Sequence, residues 1–370
     1  MASFLFFMLL MGLVVAQVNE PKQSIRLKEI KGRSWLVDSN GNPFFAHGVT
    51  HINHQKFKNK EGVIAASLKE LGFNSYGYGC PPNLKKELPY IEGQNTIATS
   101  TYRGLGVKFV DIFDPKVQKS LDFKVKKMCA ANKNISNLIG YCWTDLGAWP
   151  LKNTTKKNWV NFIRQLPNHA PGKKAYEAYL SSINVKDTKE GDSGFLRLIA
   201  REYFRVMGEA NKKYDPDHII FGDRFAFNTV DPVVMKEMLP WVDAIAIQPP
   251  FSAGFPRKVF DEIHKLTGKP ILICDFAIRF KDGDKKIKGQ LEESPKAAGQ
   301  VYSQYLKEAL ETPYIIGSYW CNPSDSIGSF NKSAIKQGLL NAALKPRPTL
   351  VKELQKLNVF IKEHTPASSY

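Results

Sequence analysis

Short apolar runs that stop abruptly at polar residues recur along this chain, and stretches of helical periodicity separate them. The clearest is KPILICDFAIRF at 269–280. Ile271, Leu272, Ile273 and Cys274 follow one another without alternation. That pattern fits a strand buried on both faces, as in a parallel sheet. Pro270 suits the start of such a strand, because it has no N–H to give to a ladder. The run stops at Asp275. Taken singly, this aspartate reads as a cap for the next segment. In an α/β barrel, however, the carboxyl end of every strand faces the active site.

The same unit repeats. FFAHGVTHINH at 44–54, LGFNSYGYG at 71–79, VKFVDIFDP at 107–115 and NLIGYCWTDLGAW at 137–149 read as strands one to four. HIIFGDRFAF at 218–227, VDAIAIQPPF at 242–251, the opening stretch, and YIIGSYWCNPSD at 314–325 read as strands five to eight. Helices are expected over 61–71, 117–131, 195–212, 232–238, 258–266, 295–311 and 348–363; in the first, Val63, Ile64, Leu68 and Leu71 share a face. Residues 150–194, rich in Lys, Asn and Pro, read as an insertion. Around the NGN turn, residues 25–45 read as a hairpin. Strand and helix alternating eight times predict an α/β fold, a (β/α)8 TIM barrel with a short N-terminal β-hairpin extension. An open doubly wound sheet lacks support, since no GxGxxG or P-loop follows the first strand.

The segment MASFLFFMLLMGLVVAQ opens the chain. Its apolar run is too short to span a bilayer, and Val14 and Ala16 fit a small-residue cleavage site. Residues 1–16 are therefore expected to be a signal peptide and 17–370 a single secreted, extracellular domain. No membrane span is expected. Sequons at Asn134, Asn153 and Asn331 would then mark glycosylated surface. Five cysteines are too few for a dense disulfide framework; Cys142, Cys274 and Cys321 read as buried thiols. A formal net charge of +17 suggests acidic partners, or simply a solvated surface. Nucleic acid is not expected, because no binding motif is present.

The barrel reading gathers Asp145, Asp223, Asp275 and Asp325 at one face, with Tyr141, Trp143, Trp149, Tyr319, Trp320 and Asn322. Arg224 is the expected charge partner of a neighbouring aspartate, and Gln248 ends the sixth strand. Carboxylates among aromatic rings suit glycoside cleavage: one carboxyl protonates the leaving oxygen, and the other attacks the anomeric carbon or activates water. His47, His51 and His54 cluster after the first strand at irregular spacing, with no carboxylate nearby in sequence. They read as sugar-contacting or structural, so no metal and no cofactor is expected.

These strand ends resemble those of the clan of retaining glycoside hydrolases with catalytic residues on strands four and seven, and β-agarase-like barrels in particular. The matching pieces are HGVTHIN, LGFNSYG, IGYCWTD, FGDRFA, KPILICDFA, SYWCNPSDS and KQGLLN, in that order. The resemblance implies Asp145 as general acid/base and Asp275 as nucleophile or base. It implies a β-linked galactan as substrate, agarose-like and, given the charge, sulfated forms included. Thr144-Asp145 stands where the clan has Asn-Glu, and Asp275 stands where it has Glu. Gln248 and Pro249 occupy the region of a clan tyrosine. Each Glu-to-Asp change withdraws a carboxylate by about one bond length, ~1.5 Å, a displacement to which catalysis is sensitive. The alternatives are a glycan-binding barrel without hydrolysis, and a matrix protein whose basic surface binds acidic polysaccharide.

Overall fold

The computed structural model describes residues 24–93, 95–97, 109–145, 149, 151, 158–185, 191–250, 254–281, 291–326 and 334–367. The signal-peptide expectation and the sequons at Asn153 and Asn331 lie outside the described residues. Asn134 is exposed. The chain first forms a small antiparallel sheet of β1 (Arg26–Ile30), β2 (Arg33–Val37) and β3 (Pro43–Phe44). Asp38 accepts from the N–H groups of Asn40 and Asn42 across the NGN turn that links β2 to β3. Arg33 donates to the carbonyls of Thr312 and Ile315 at 2.5 and 2.6 Å, which fastens this sheet to the barrel.

The barrel strands are β4 (Ala46–Val49), β5 (Ser75–Tyr76), β6 (Tyr90–Gly93), β7 (Leu138–Cys142), β8 (Ile219–Gly222), β9 (Arg224–Ala226), β10 (Ile245–Gln248), β11 (Ile271–Phe276) and β13 (Ile315–Trp320). All pair in parallel, in the order β8-β7-β6-β5-β4-β13-β11-β10-β9. The two outermost names belong to one strand interrupted at Asp223. Its first half pairs with β7 and its second half with β10. Gly222, at φ +72, makes the break; the N–H of Asp243 reaches back to the Ile220 carbonyl at 2.8 Å. The sheet is thereby closed with eight strand positions, as the alternation predicts. Short β12 (Phe280–Lys281) and β14 (Ile335–Lys336) pair as an antiparallel ribbon beyond the ends of β11 and β13.

The helices are α1 (Glu61–Glu70), α2 (Pro115–Asn132), α3 (Trp159–Arg164), α4 (Pro171–Ser182), α5 (Asp192–Tyr214), α6 (Pro232–Met238), α7 (Arg257–Thr267), α8 (Pro295–Glu311) and α9 (Pro348–His364). Their starts are written locally. Asp114, Asp231 and Ser294 cap α2, α6 and α8, each followed by proline at the first helical position. Two apolar layers result. Ile25, Leu36, Ile139, Ile219, Ala246, Leu272, Cys274, Ile316 and Tyr319 fill the lumen, and a larger layer lies between strands and helices. Ile25 and Leu36 come from the N-terminal segment and close the lower end of the lumen.

Two expectations need correction. The third strand is Tyr90–Gly93, not VKFVDIFDP. Only Tyr90 and Ile91 of it are buried, and the longer apolar run of VKFVDIFDP draws the reading instead. Of the misread segment, Asp111 accepts from the Gly172 N–H at 2.9 Å and Asp114 caps α2. The insertion at 150–194 carries α3 and α4, which pack aromatic residues against α5; Tyr176 meets Phe195 edge-on at 4.9 Å. All five cysteines are free and buried.

Candidate active site

Asp275, the penultimate residue of β11, is in the left-handed region, φ 64. The β11–β13 register slips between Ile273 and Phe276, so an extra residue is accommodated there. Bulges of this kind re-aim a side chain. Strict alternation would turn the residue after inward-facing Cys274 toward the helices. With the bulge, Asp275 instead meets residues from the strands on its other side. Thr50 Oγ1 donates to Asp275 Oδ1 at 2.8 Å and also contacts His51 Nδ1 at 2.7 Å. His51 Nδ1 itself lies 3.6 Å from Asp275 Oδ1. Burial pushes the Asp275 carboxyl up, but the His51 charge and hydrogen bonds from Tyr78, Cys321 and Thr50 outweigh it and hold it below the usual carboxylate range. The buried Tyr78 hydroxyl has no partner at full hydrogen-bond geometry, yet it is close enough to contribute.

Asp145 follows β7, and its position is set from behind. The Thr144 peptide donates to Asp223 Oδ1 at 3.2 Å and accepts from the Arg224 N–H at 3.0 Å. The Asp145 N–H donates to Asn95 Oδ1 at 2.9 Å. Burial raises the Asp145 carboxyl; Arg224 opposes this, Asp275 adds to it, and Gln248 donates to it, with a net upward shift. Arg224 is buried, with its guanidinium stacked 4.1 Å over the Tyr78 ring. The two carboxyl groups thus sense one another across the barrel mouth and are displaced in opposite directions.

Of the residues expected at this face, the structure brings together Asp145, Asp275, His51, Arg224 and Gln248. Others are elsewhere. His47 is buried under α8 and α9, with Nδ1 at 3.0 Å from Asn358 Oδ1 and Nε2 at 3.2 Å from the Tyr302 hydroxyl. Burial lowers its pKa to about 4, so it is a neutral structural imidazole. The cavity beside it, about 600 Å³ and lined by Phe44, Gly72, Asn74 and Ile361, lies by the starts of β4 and β5 rather than at the mouth. Tyr141 donates to Asp215 at 2.5 Å, and Trp143 Nε1 donates to Asn211 on α5 at 2.7 Å. Trp149 packs against Trp159 with the rings tilted, centroids 5.0 Å apart, and donates to Asp223 Oδ2 at 3.2 Å. Asp223 also accepts from Tyr203; burial pushes it up to about 7. Trp320 donates to the Gln337 carbonyl at 2.9 Å beneath the ring of Tyr302.

Tyr319 lies within the lumen against Gly48, where a Cβ would fall 2.3 Å from its ring. Asp325 accepts from the N–H groups of Gln337 and Gly338 and pairs with Arg347. Asn322 turns the chain after β13 at φ 69. The aromatic residues expected at the carboxylate face are therefore packing: Tyr141, Trp143, Trp149, Tyr319 and Trp320 are all 0 % exposed. The physical reason is strand phase: it turns Tyr141, Trp143 and Trp320 into the layer between sheet and helices, where Trp149 also packs, and turns Tyr319 into the lumen. Thr50, Tyr78 and Asn95 were missed. Thr50 and Tyr78 sit at ends of correctly read strands, whereas Asn95 was hidden by the misplaced third strand.

The comparisons agree with this architecture. Over 142 residues the chain is 24% identical to β-agarase B of Vibrio sp. (strain JT0107), a stretch covering 38% of this chain and 15% of that protein. The solved structure of an agarase superposes with a TM-score of 0.75 at 17% identity, over 93% of this chain and 64% of the other. The chain resembles the β-agarases. An exo-β-agarase gives a TM-score of 0.76 at 15% identity, covering 93% and 66%. A β-glucuronidase from an uncultured Clostridium sp. shares the fold more distantly, with a TM-score of 0.56, 14% identity and coverage of 91% and 53%. No family model matches the chain. The chain spans less than two thirds of the length of these three solved proteins and a smaller part of the Vibrio agarase. Among the described residues no helix is long and apolar enough to cross a membrane.

Proposed function

We propose that this chain is a secreted glycoside hydrolase that cleaves a β-linked polysaccharide of the galactan class, agarose-like, with sulfated forms among its substrates. The observation that carries the reading is the pair Asp145 and Asp275, two carboxyls at one mouth with opposite displacements. Divergent environments for two carboxyls separate an acid from a base. Asp145 is the general acid that protonates the leaving oxygen. Asp275, kept ionised by Thr50, His51 and its other donors, attacks the anomeric carbon or activates water. Arg224 and Gln248 hold Asp145 in place. Similarity to agarases supports the galactan, and the net charge of +17 supports the sulfate. Fold likeness alone does not assign an activity.

The test is release of reducing ends from agarose, carrageenans and other β-glycans by the purified chain. Release that disappears in Asp145→Asn and in Asp275→Asn supports the assignment. Binding of a glycan with no release across the panel favours the glycan-binding barrel. Salt-sensitive binding that ignores substitutions at the mouth favours the matrix protein.

A further inference from the structure

We propose that His51, Asp275 and Cys321 form a tripod for a borderline-soft divalent cation, with Zn²⁺ the best match, at the mouth of the barrel. The His51 Nδ1, an Asp275 carboxylate oxygen and the Cys321 Sγ all lie within 4.8 Å of one another. His51 and Cys321 follow β4 and β13, and Asp275 lies near the end of β11; these strands are neighbours in the barrel, so the closed sheet itself holds the three together. Two nitrogen or oxygen ligands of a tetrahedral ion at ~2.0–2.1 Å stand roughly 3.4 Å apart; the His51 and Asp275 atoms are 3.6 Å apart. Thr50 Oγ1 touches both of those atoms and flanks the gap between them on one side, so the side away from Thr50 is the one left for an ion. With the hydroxyl proton given to Asp275, His51 Nδ1–H is the donor to Thr50 Oγ1; ion binding requires Nδ1 to release that proton, leaving the neutral ring protonated at Nε2.

Imidazole, carboxylate and thiolate together suit zinc, whereas Mg²⁺ and Ca²⁺ prefer an all-oxygen set. Three protein ligands leave the fourth position for water, and His51, with 35 % of its side chain exposed, opens it to solvent. Binding converts the Cys321 thiol to a thiolate and releases its proton to solvent; thiolate and carboxylate then neutralise the dication. Gln337 Nε2 donates to the Cys321 carbonyl at 3.2 Å and steadies that ligand. If the hydrolase reading above holds, the ion captures Asp275 and stops turnover. That consequence rests on the reading, but the site itself does not.

The experiment uses the full chain and titrates Zn²⁺ by calorimetry, with Co²⁺ as the spectroscopic probe. One Zn²⁺ per chain is expected, together with a near-ultraviolet thiolate-to-Co²⁺ band and the visible bands of a tetrahedral site. Cys321→Ser and His51→Ala should each weaken Zn²⁺ binding by more than about tenfold, an effect that even outer-shell partners produce. The wild-type Co²⁺ spectrum reports thiolate ligation without any variant, so a variant that misfolds does not remove the test. Absence of the thiolate band, or Zn²⁺ affinity unchanged in both variants, overturns the proposal. Zn²⁺ binding by a wild type that cleaves no glycan still supports the tripod and counts only against the hydrolase reading. In an active enzyme, inhibition by Zn²⁺ that a chelator reverses ties the two together.

Discussion

Asp275 is a non-glycine residue in the left-handed region, where a Cβ costs roughly 1–2 kcal/mol. Such conformations persist where the surroundings over-determine them, and here Thr50, His51 and Cys321 do so. The proposed roles make a pH prediction. Turnover needs Asp145 protonated, so activity falls as pH rises through its raised pKa. It needs Asp275 ionised, so activity falls as pH drops through its depressed pKa. A bell is expected, with its alkaline limb above the ordinary carboxylate range; Asp145→Asn should remove that limb and reduce turnover by roughly 10²–10⁴-fold. A pH–rate profile with the same alkaline limb in Asp145→Asn would count against Asp145 as the acid. A second residue-scale prediction concerns buried Asp215. Burial raises its carboxyl, but hydrogen bonds from His218 and Tyr141 outweigh this and hold it low. Its stabilisation is therefore present above the unfolded value, ~3.9, and is lost as pH falls through the lower folded one. Asp215→Asn should destabilise by roughly 1.5–3 kcal/mol at neutral pH, with the gap to wild type closing in acid, as read by denaturant melts across pH.

At the scale of elements, closure depends on the break in the fifth strand. Gly222 permits it at φ +72, and a Cβ there would meet Met238 and Val242, each at 2.8 Å. Gly222→Ala is expected to destabilise by about 1–3 kcal/mol through the left-handed backbone and the clash together. Because the same break sets Asp223 under the Thr144 peptide, turnover should fall more than Tm alone explains. Kinetics measured well below the melting temperature check this; an unchanged rate there would mean that the break serves folding only. The β11 bulge works in the same way. It is an irregularity in the ladder that places a carboxylate where regular alternation would not.

For the whole molecule, the +17 charge and the mouth make separable predictions. Affinity for a sulfated galactan should fall steeply between low and physiological salt, because surface electrostatics are screened over ~8–10 Å. Affinity for neutral agarose should barely change. Binding isotherms at two ionic strengths distinguish the cases, and equal salt slopes for both polymers would remove the charge from the account of specificity.

Periodicity and turn chemistry alone determined most of the frame. α6 and α8 begin and end at the residues the pattern indicates, because capping side chains and prolines act within a few residues of themselves. Seven of the eight barrel strands were legible, six as apolar runs and the second from the glycine stop in LGFNSYGYG, and Asp145 and Asp275 were legible at polar ends of such runs. The third strand was not, because its two buried residues are outcompeted in sequence by the longer apolar run VKFVDIFDP that follows. Only the tertiary structure decided which polar ends share a site. Whether Trp143 faces a sugar or α5, and whether His47 faces the mouth or α9, depends on strand phase and on bulges. A one-residue slip in the ladder reverses such facings, and nothing local in the sequence records it. The meeting of His51, Asp275 and Cys321 likewise exists only because ring closure sets β4, β13 and β11 side by side.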